Sequence, residues 1–168
     1  MSSLNSFDRV LTWGDFTPVP APKEDNGEGA SIGVIFDYTH EPGRKGNAIY
    51  VSNLVVNVLM PDPTTNTVVV TKKTDLMLKH EQGHYDIIAL GAREFYKKAL
   101  QLTAPSDTEL NTLIGNLYDD LHAKAEAVDA RYDVKTNHHI NQAVQVVWNK
   151  AIEDAKKSKT GTIADLPQ

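Results

Sequence analysis

The chain of 168 residues contains no cysteine. That excludes disulfide scaffolds, thiolate zinc fingers, iron–sulfur centres and any cysteine nucleophile. Positive charge is not in excess: 17 Lys and Arg against 22 Asp and Glu leave a net charge of −5 at pH 7. With no basic stripe to offset phosphate repulsion, nucleic acid is not an expected partner. Long hydrophobic runs are also missing. The longest, residues 54–60, is interrupted by Asn57 and falls far short of the ~20 apolar residues that a membrane-spanning helix needs. Residues 1–6 are polar and lack a basic end followed by an apolar segment, so no signal peptide is expected there. A protein kept inside the cell and a secreted one already cleaved both fit that reading. What is present is ordinary for a folded chain: 40% hydrophobic and 23% charged residues, in a length that suits one domain burying ~70% of its unfolded surface. With thiols absent, the six histidines are the soft metal ligands that remain.

The two halves of the chain read differently. Residues 30–38 (ASIGVIFDY), 48–60 (AIYVSNLVVNVLM) and 67–71 (TVVVT) are rich in β-branched and aromatic residues and predict strands. Pro42, Gly43 and the neighbouring Arg44, Lys45 and Gly46 predict a hairpin loop, and the Pro- and Gly-containing stretch 18–29 an exposed loop. From Asp75 the period becomes helical. Leu76, Met77, His80, Gly83, His84, Ile87, Ile88, Gly91 and Phe95 fall near one face of a helix over residues 75–100. Ala104-Pro105 ends it, and Ser106 to Glu109 is a capping box that opens a second helix carrying Leu110, Leu113, Leu117, Leu121 and Val128. A break over residues 132–137 precedes a third helix, roughly 138–156, with Ile140, Val144, Val147, Trp148 and Ala151 on its apolar face. The expectation is a single α+β domain: an antiparallel β-rich half (1–72), three helices (73–158) and a flexible tail (159–168).

His80-Glu81-Gln82-Gly83-His84 forms an H-E-x-x-H motif inside the first helix. Residues four apart stack on one helical face, so both imidazoles can reach one ion. Zinc suits two imidazoles and in catalytic sites takes a third protein ligand and a water. Glu81 flanks that face, where it can act as general base on a metal-activated water. Gly83 costs about 1 kcal/mol relative to alanine in a helix interior, which points to the close approach of another element.

Candidates for the third ligand are Glu109, Glu126 and the pair His138-His139. Glu109 already serves the capping box, and Glu126 is equally explained as an i,i+4 partner of His122. The adjacent histidines sit where a loop enters a helix, and His138 is the preferred choice. Tyr132 is either an oxyanion donor or a core tyrosine with a satisfied hydroxyl. Asp133 suits the orientation of a ligand histidine. Asp86, on the wrong side of the helix for the same ion, suits an anchor to a neighbouring backbone or to an arginine such as Arg131 or Arg93. His40 and His122 read as surface or structural, and Trp13 and Trp148 as core anchors.

The segments Leu11-Thr12-Trp13-Gly14-Asp15-Phe16, HEQGHYD (80–86) and YDVKTNH (132–138), with Gln145 and Trp148 just beyond, resemble domain-of-unknown-function family 922. This bacterial group is described as predicted secreted zinc-dependent proteases. The resemblance runs from about residue 10 to residue 150. It implies a zincin-like peptidase with His80, His84 and His138 as zinc ligands and Glu81 as base, acting on a peptide or protein substrate, and a secreted or periplasmic location. The family usually has glycine after its third histidine; here that position is His139. The chemistry expected is hydrolysis of peptide bonds, with residues 67–71 as a strand that accepts extended substrate by β-addition. The rival readings are a non-catalytic module stabilised by zinc, which a closed four-ligand shell would favour, and hydrolysis of a non-peptide amide.

Overall fold

A computed structural model describes residues 1–21 and 29–168. Among these residues, seven strands and three α-helices follow one another as β1 (Ser3–Asn5), β2 (Thr17–Val19), β3 (Ala30–Ser31), β4 (Ile35–Lys45), β5 (Ala48–Leu59), β6 (Thr67–Val69), α1 (Asp75–Ala99), β7 (Thr103–Ala104), α2 (Asp107–Thr136) and α3 (Gln142–Lys157). The architecture is α+β, with most strands preceding three helices. Of the loop expected over residues 18–29, positions 22–28 lie outside the described residues.

The main sheet has the order β1-β5-β4, with β7 also on β5. β4 and β5 form a long antiparallel hairpin, whose turn lies at Gly46-Asn47 rather than at Pro42-Gly43. Gly46 has φ +61°, the left-handed conformation a two-residue hairpin turn demands. Pro42 and Gly43 stay in β4 because that strand is an edge, where a missing N–H does no harm. Along β5 the buried residues are Ile49 and Val51, then Leu54, Val56 and Val58. Their phase changes around Asn53, which has φ +47°, opposite the register slip between Thr39 and Glu41. One extra residue there keeps apolar side chains on the core face along the whole strand.

The β half is mixed rather than antiparallel. β1 runs parallel to β5, and β2 parallel to β6. Both pairs are distant in sequence, so the connection is long enough for a parallel crossover. The second sheet, of order β2-β6-β3, puts β6 at its centre with Val68 fully buried. The strand expected to receive substrate therefore has a neighbour on each side and no free edge. β2 and β3 are the edges of that sheet.

α1 starts at Thr74, whose hydroxyl accepts the Met77 N–H at 3.1 Å, and α2 at Ser106, whose hydroxyl accepts the Glu109 N–H at 3.2 Å. α2 continues through the expected break and ends at Asn137, in left-handed conformation. Tyr132 and Asp133 thus belong to α2, and α3 starts four residues later than expected. The core joins Phe36, Leu54 and Val56 of the sheet to Tyr85, Ile87, Leu90 and Phe95 of α1, Leu110, Ile114 and Leu121 of α2, and Trp148 of α3. Trp148 is the core anchor its sequence suggested. The last ten residues, expected as a tail, also pack here: Ile163 and Leu166 are buried. Arg93 donates to the carbonyls of Ala155, Lys156 and Gly161 at 2.6, 2.9 and 2.5 Å and lies over the Phe7 ring. Among the described residues, no helix is long and apolar enough to cross a membrane.

Candidate metal centre

His80 and His84, one turn apart on α1, face a cleft of about 230 Å³. Each ring is oriented by a bond at Nδ1. His80 Nδ1–H donates to Gln145 Oε1 at 3.0 Å, and His84 Nδ1–H donates to Asp129 Oδ1 at 2.7 Å. Partners of this kind fix the tautomer and direct the Nε2 lone pair elsewhere. The two Nε2 atoms accordingly meet 3.1 Å apart. Asp133 Oδ1 joins them, 3.2 Å from His80 Nε2 and 3.6 Å from His84 Nε2. His80, His84 and Asp133 form a group able to hold a metal ion. Tetrahedral zinc with bonds of ~2.0–2.1 Å separates its ligands by roughly 3.3 Å, so the spacing of these three atoms and their chemistry fit that ion.

Asp129 and Asp133 are four apart on α2 and share the face turned to α1. Against burial, which would lower its pKa, the His84 imidazole is carried up to about 10 by hydrogen bonds to Asp129 and Asp133 and by the charges of Asp129 and Glu81. Burial would raise Asp133, yet hydrogen bonds with His80 and His84 hold its carboxyl far below the usual range. Two imidazoles and the Asp133 carboxylate converge on one point, with Asp129 behind His84 at its other nitrogen, a set of donors that suits a cation.

Glu81 is buried at 3% exposure and lines the same cleft. Burial pushes its carboxyl up to about 7, with Asp133 and Asp129 adding to the rise and His84 opposing it. A carboxylate tuned near neutrality suits proton transfer at neutral pH.

Tyr132 is fully buried. Its ring stacks on His80 with centroids 4.8 Å apart. Its hydroxyl donates to the His80 carbonyl at 3.1 Å and accepts from Gln145 Nε2 at 2.5 Å. The phenol proton is thus engaged by backbone and faces away from the cleft. A Cβ at position 83 would collide with this hydroxyl and ring, which explains the glycine inside the motif. Tyr132 is a core tyrosine that braces His80.

His138 lines the cleft and stands beside the three-atom group; its Nδ1 lies 2.9 Å from Asp133 Oδ1. His139 lines the cleft too, its ring centroid 6.0 Å from that of His80. Glu126 is exposed and pairs with His122 at 3.6 Å, and Glu109 remains at the start of α2. Neither lines the cleft. His122 packs against Phe36 and Tyr118, and His40 stacks on Tyr38. Asp86 pairs with Lys156 at 2.7 Å, not with an arginine, because α3 packs its C-terminal turns against that side of α1. Gln82 accepts from Leu11 N–H at 2.8 Å and donates to the Arg9 carbonyl at 3.1 Å, tying the N-terminal segment to the motif helix. Asp129 had no role in the sequence reading, although its spacing from Asp133 was a usable signal once both were placed on one helix.

No curated protein and no solved structure matches the chain. The family model described as "Bacterial protein of unknown function (DUF922)" matches residues 37–139. That span runs from β4 to the end of the cleft loop and includes His80, Glu81, His84, Asp129, Asp133, His138 and His139, and the chain belongs to this family.

Proposed function

We propose that the protein is a zinc-dependent peptidase. The observation that carries the reading is the convergence of His80 Nε2, His84 Nε2 and Asp133 Oδ1 at tetrahedral spacing, each histidine fixed through its other nitrogen. When bound, zinc would supply a Lewis acid for a carbonyl oxygen and lower the pKa of water. The chain's residues do the rest. Glu81 takes a proton from water and returns it to the leaving amine, a role suited to a carboxylate that makes no hydrogen bond among the described residues. Asp129 and Gln145 hold the ligand rings, and Tyr132 keeps His80 against α2. A purely structural zinc would leave no use for an unpaired, buried Glu81 in an open cleft.

Asp133 takes the third ligand position in this reading, with His138, expected there from sequence, beside it, its Nδ1 2.9 Å from Asp133 Oδ1. Two variants divide the choice. Asp133→Ala is expected to bring zinc stoichiometry well below one per chain, whereas His138→Ala weakens affinity about 10–100-fold, as the loss of a ligand's partner does. Elemental analysis after dialysis against a range of free zinc checks this, and the reverse order would give the third position to His138.

The substrate is received by β3 in place of β6. Gly29, Ala30, Ser31 and Ile32 form one wall of the cleft. The Val69 N–H donates to the Gly29 carbonyl at 2.8 Å, so in the antiparallel register Ala30, opposite Val68, turns its own N–H and C=O away from β6. An extended peptide can pair with that edge. Ala30→Pro removes the outward N–H without touching the ladder to β6. The expected result is a roughly tenfold loss of peptide cleavage, the equivalent of one hydrogen bond, with zinc content unchanged; cleavage at the wild-type rate would rule the edge out. Incubation of the zinc-loaded protein with a peptide library, followed by mass spectrometry, tests the peptidase reading as a whole, and absence of any Glu81-dependent cleavage would reject it.

A further inference from the structure

Three consecutive residues, Asn137, His138 and His139, have φ of +49°, +50° and +72°. This is the left-handed region, where a residue with a Cβ loses roughly 1–2 kcal/mol. Asn137 is at home there as the end of α2, and His138 is held by its contact with Asp133. Nothing comparable holds His139. Its ring nitrogens make no hydrogen bond among the described residues, yet the side chain is half-buried and lines the cleft beside His80 and Glu81. It lies outside the three-atom donor group. The backbone at 139 suits glycine, and here it carries an imidazole into the cleft. An imidazole has at least one N–H in either protonation state. Tyr132, the other candidate donor, has its hydroxyl turned into the core.

We infer that His139 is a catalytic residue, donating a hydrogen bond to the oxyanion that forms when water adds to the substrate carbonyl. The inference rests on the peptidase reading. In that step the water oxygen bonds to the carbonyl carbon, the water proton passes to Glu81, and the carbonyl π pair moves onto oxygen, where the His139 N–H meets it. Collapse of the intermediate breaks the C–N bond, and Glu81 delivers its proton to the amine. His139 supplies a donor and is not consumed.

The test uses His139→Gly, because glycine fits the backbone and the variant is expected to fold with a Tm at or above that of wild type. Removal of one oxyanion donor should lower kcat by about 10²–10³-fold with little change in KM. Zinc stoichiometry should stay at the wild-type value. A second readout is binding of a peptidyl phosphinate, whose tetrahedral anion resembles the intermediate: its affinity should fall in parallel with kcat, while a peptide substrate bound to the Glu81→Gln, His139→Gly double variant keeps its affinity. His139→Asn, which retains an N–H donor on a residue that tolerates positive φ, should restore part of the rate. Wild-type kcat in His139→Gly would overturn the inference and leave the peptidase reading intact. Lost zinc would make His139 a ligand and overturn it as well. Failure of wild type itself to cleave any peptide would reject both.

Discussion

Glu81→Gln is expected to abolish peptide cleavage while the protein keeps its zinc. The substitution preserves size and removes only the ability to accept a proton, and general-base catalysis is worth about 10²–10⁴-fold. Structure should be spared, since the Glu81 carboxyl makes no hydrogen bond among the described residues and an amide is neutral without desolvation strain in its buried position. The measurement is kcat on any peptide that wild type cleaves, with zinc determined in the same preparation. Turnover within a factor of a few of wild type would end the assignment of Glu81 as base. Loss of zinc from this variant would mean that Glu81 is part of the donor set.

Zinc binding is expected to release about one proton and to tighten about tenfold per pH unit between pH 7 and 9. The reason is His84. Its hydrogen bonds to Asp129 and Asp133, prevailing over burial, carry its pKa up to about 10 in the metal-free protein, so an incoming ion must displace that proton. Titration calorimetry in buffers of different ionisation enthalpy counts the proton, and competition against a chelator gives the affinity at each pH. An affinity flat across this range would show that His84 is already neutral. A second consequence concerns stability. The folded pKa lies above the unfolded value of ~6.5, so the stabilising contribution of protonated His84 is fully present below pH 6.5 and is lost as pH rises through about 10. The metal-free protein should therefore lose Tm across that window, and the zinc-loaded protein should not.

Local sequence signals were enough for α1. The helical period from Asp75 and the two histidines four apart put His80, Glu81 and His84 on their faces. α2 was harder because its apolar stripe thins after Val128. Tyr132 and Thr136 are buried beyond it, but the run Asp133-Val134-Lys135 between them reads as a polar connection. Ending the helix early separated Asp133 from Asp129 and hid the acidic pair that faces the histidines. The direction of the Tyr132 hydroxyl depends on a gap left by Gly83 across a helix–helix contact, which no local pattern records. The order of strands along the chain likewise gave no means of telling that β6 is central and β3 an edge, because β2 arrives from about fifty residues upstream to pair with β6.

Gln145 has a consequence for how the centre is assembled in time. It stands 65 residues after His80, and Asp129 stands 45 after His84. Such contacts close late in folding, since long loops must be ordered before they are rewarded. A nascent chain that has displayed only α1 offers an ion two loosely turning imidazoles. On the metalloprotein reading, secure capture would wait until α3 has docked, and from then on an ion would act on the native state alone, stabilising it in proportion to the logarithm of its free concentration over Kd.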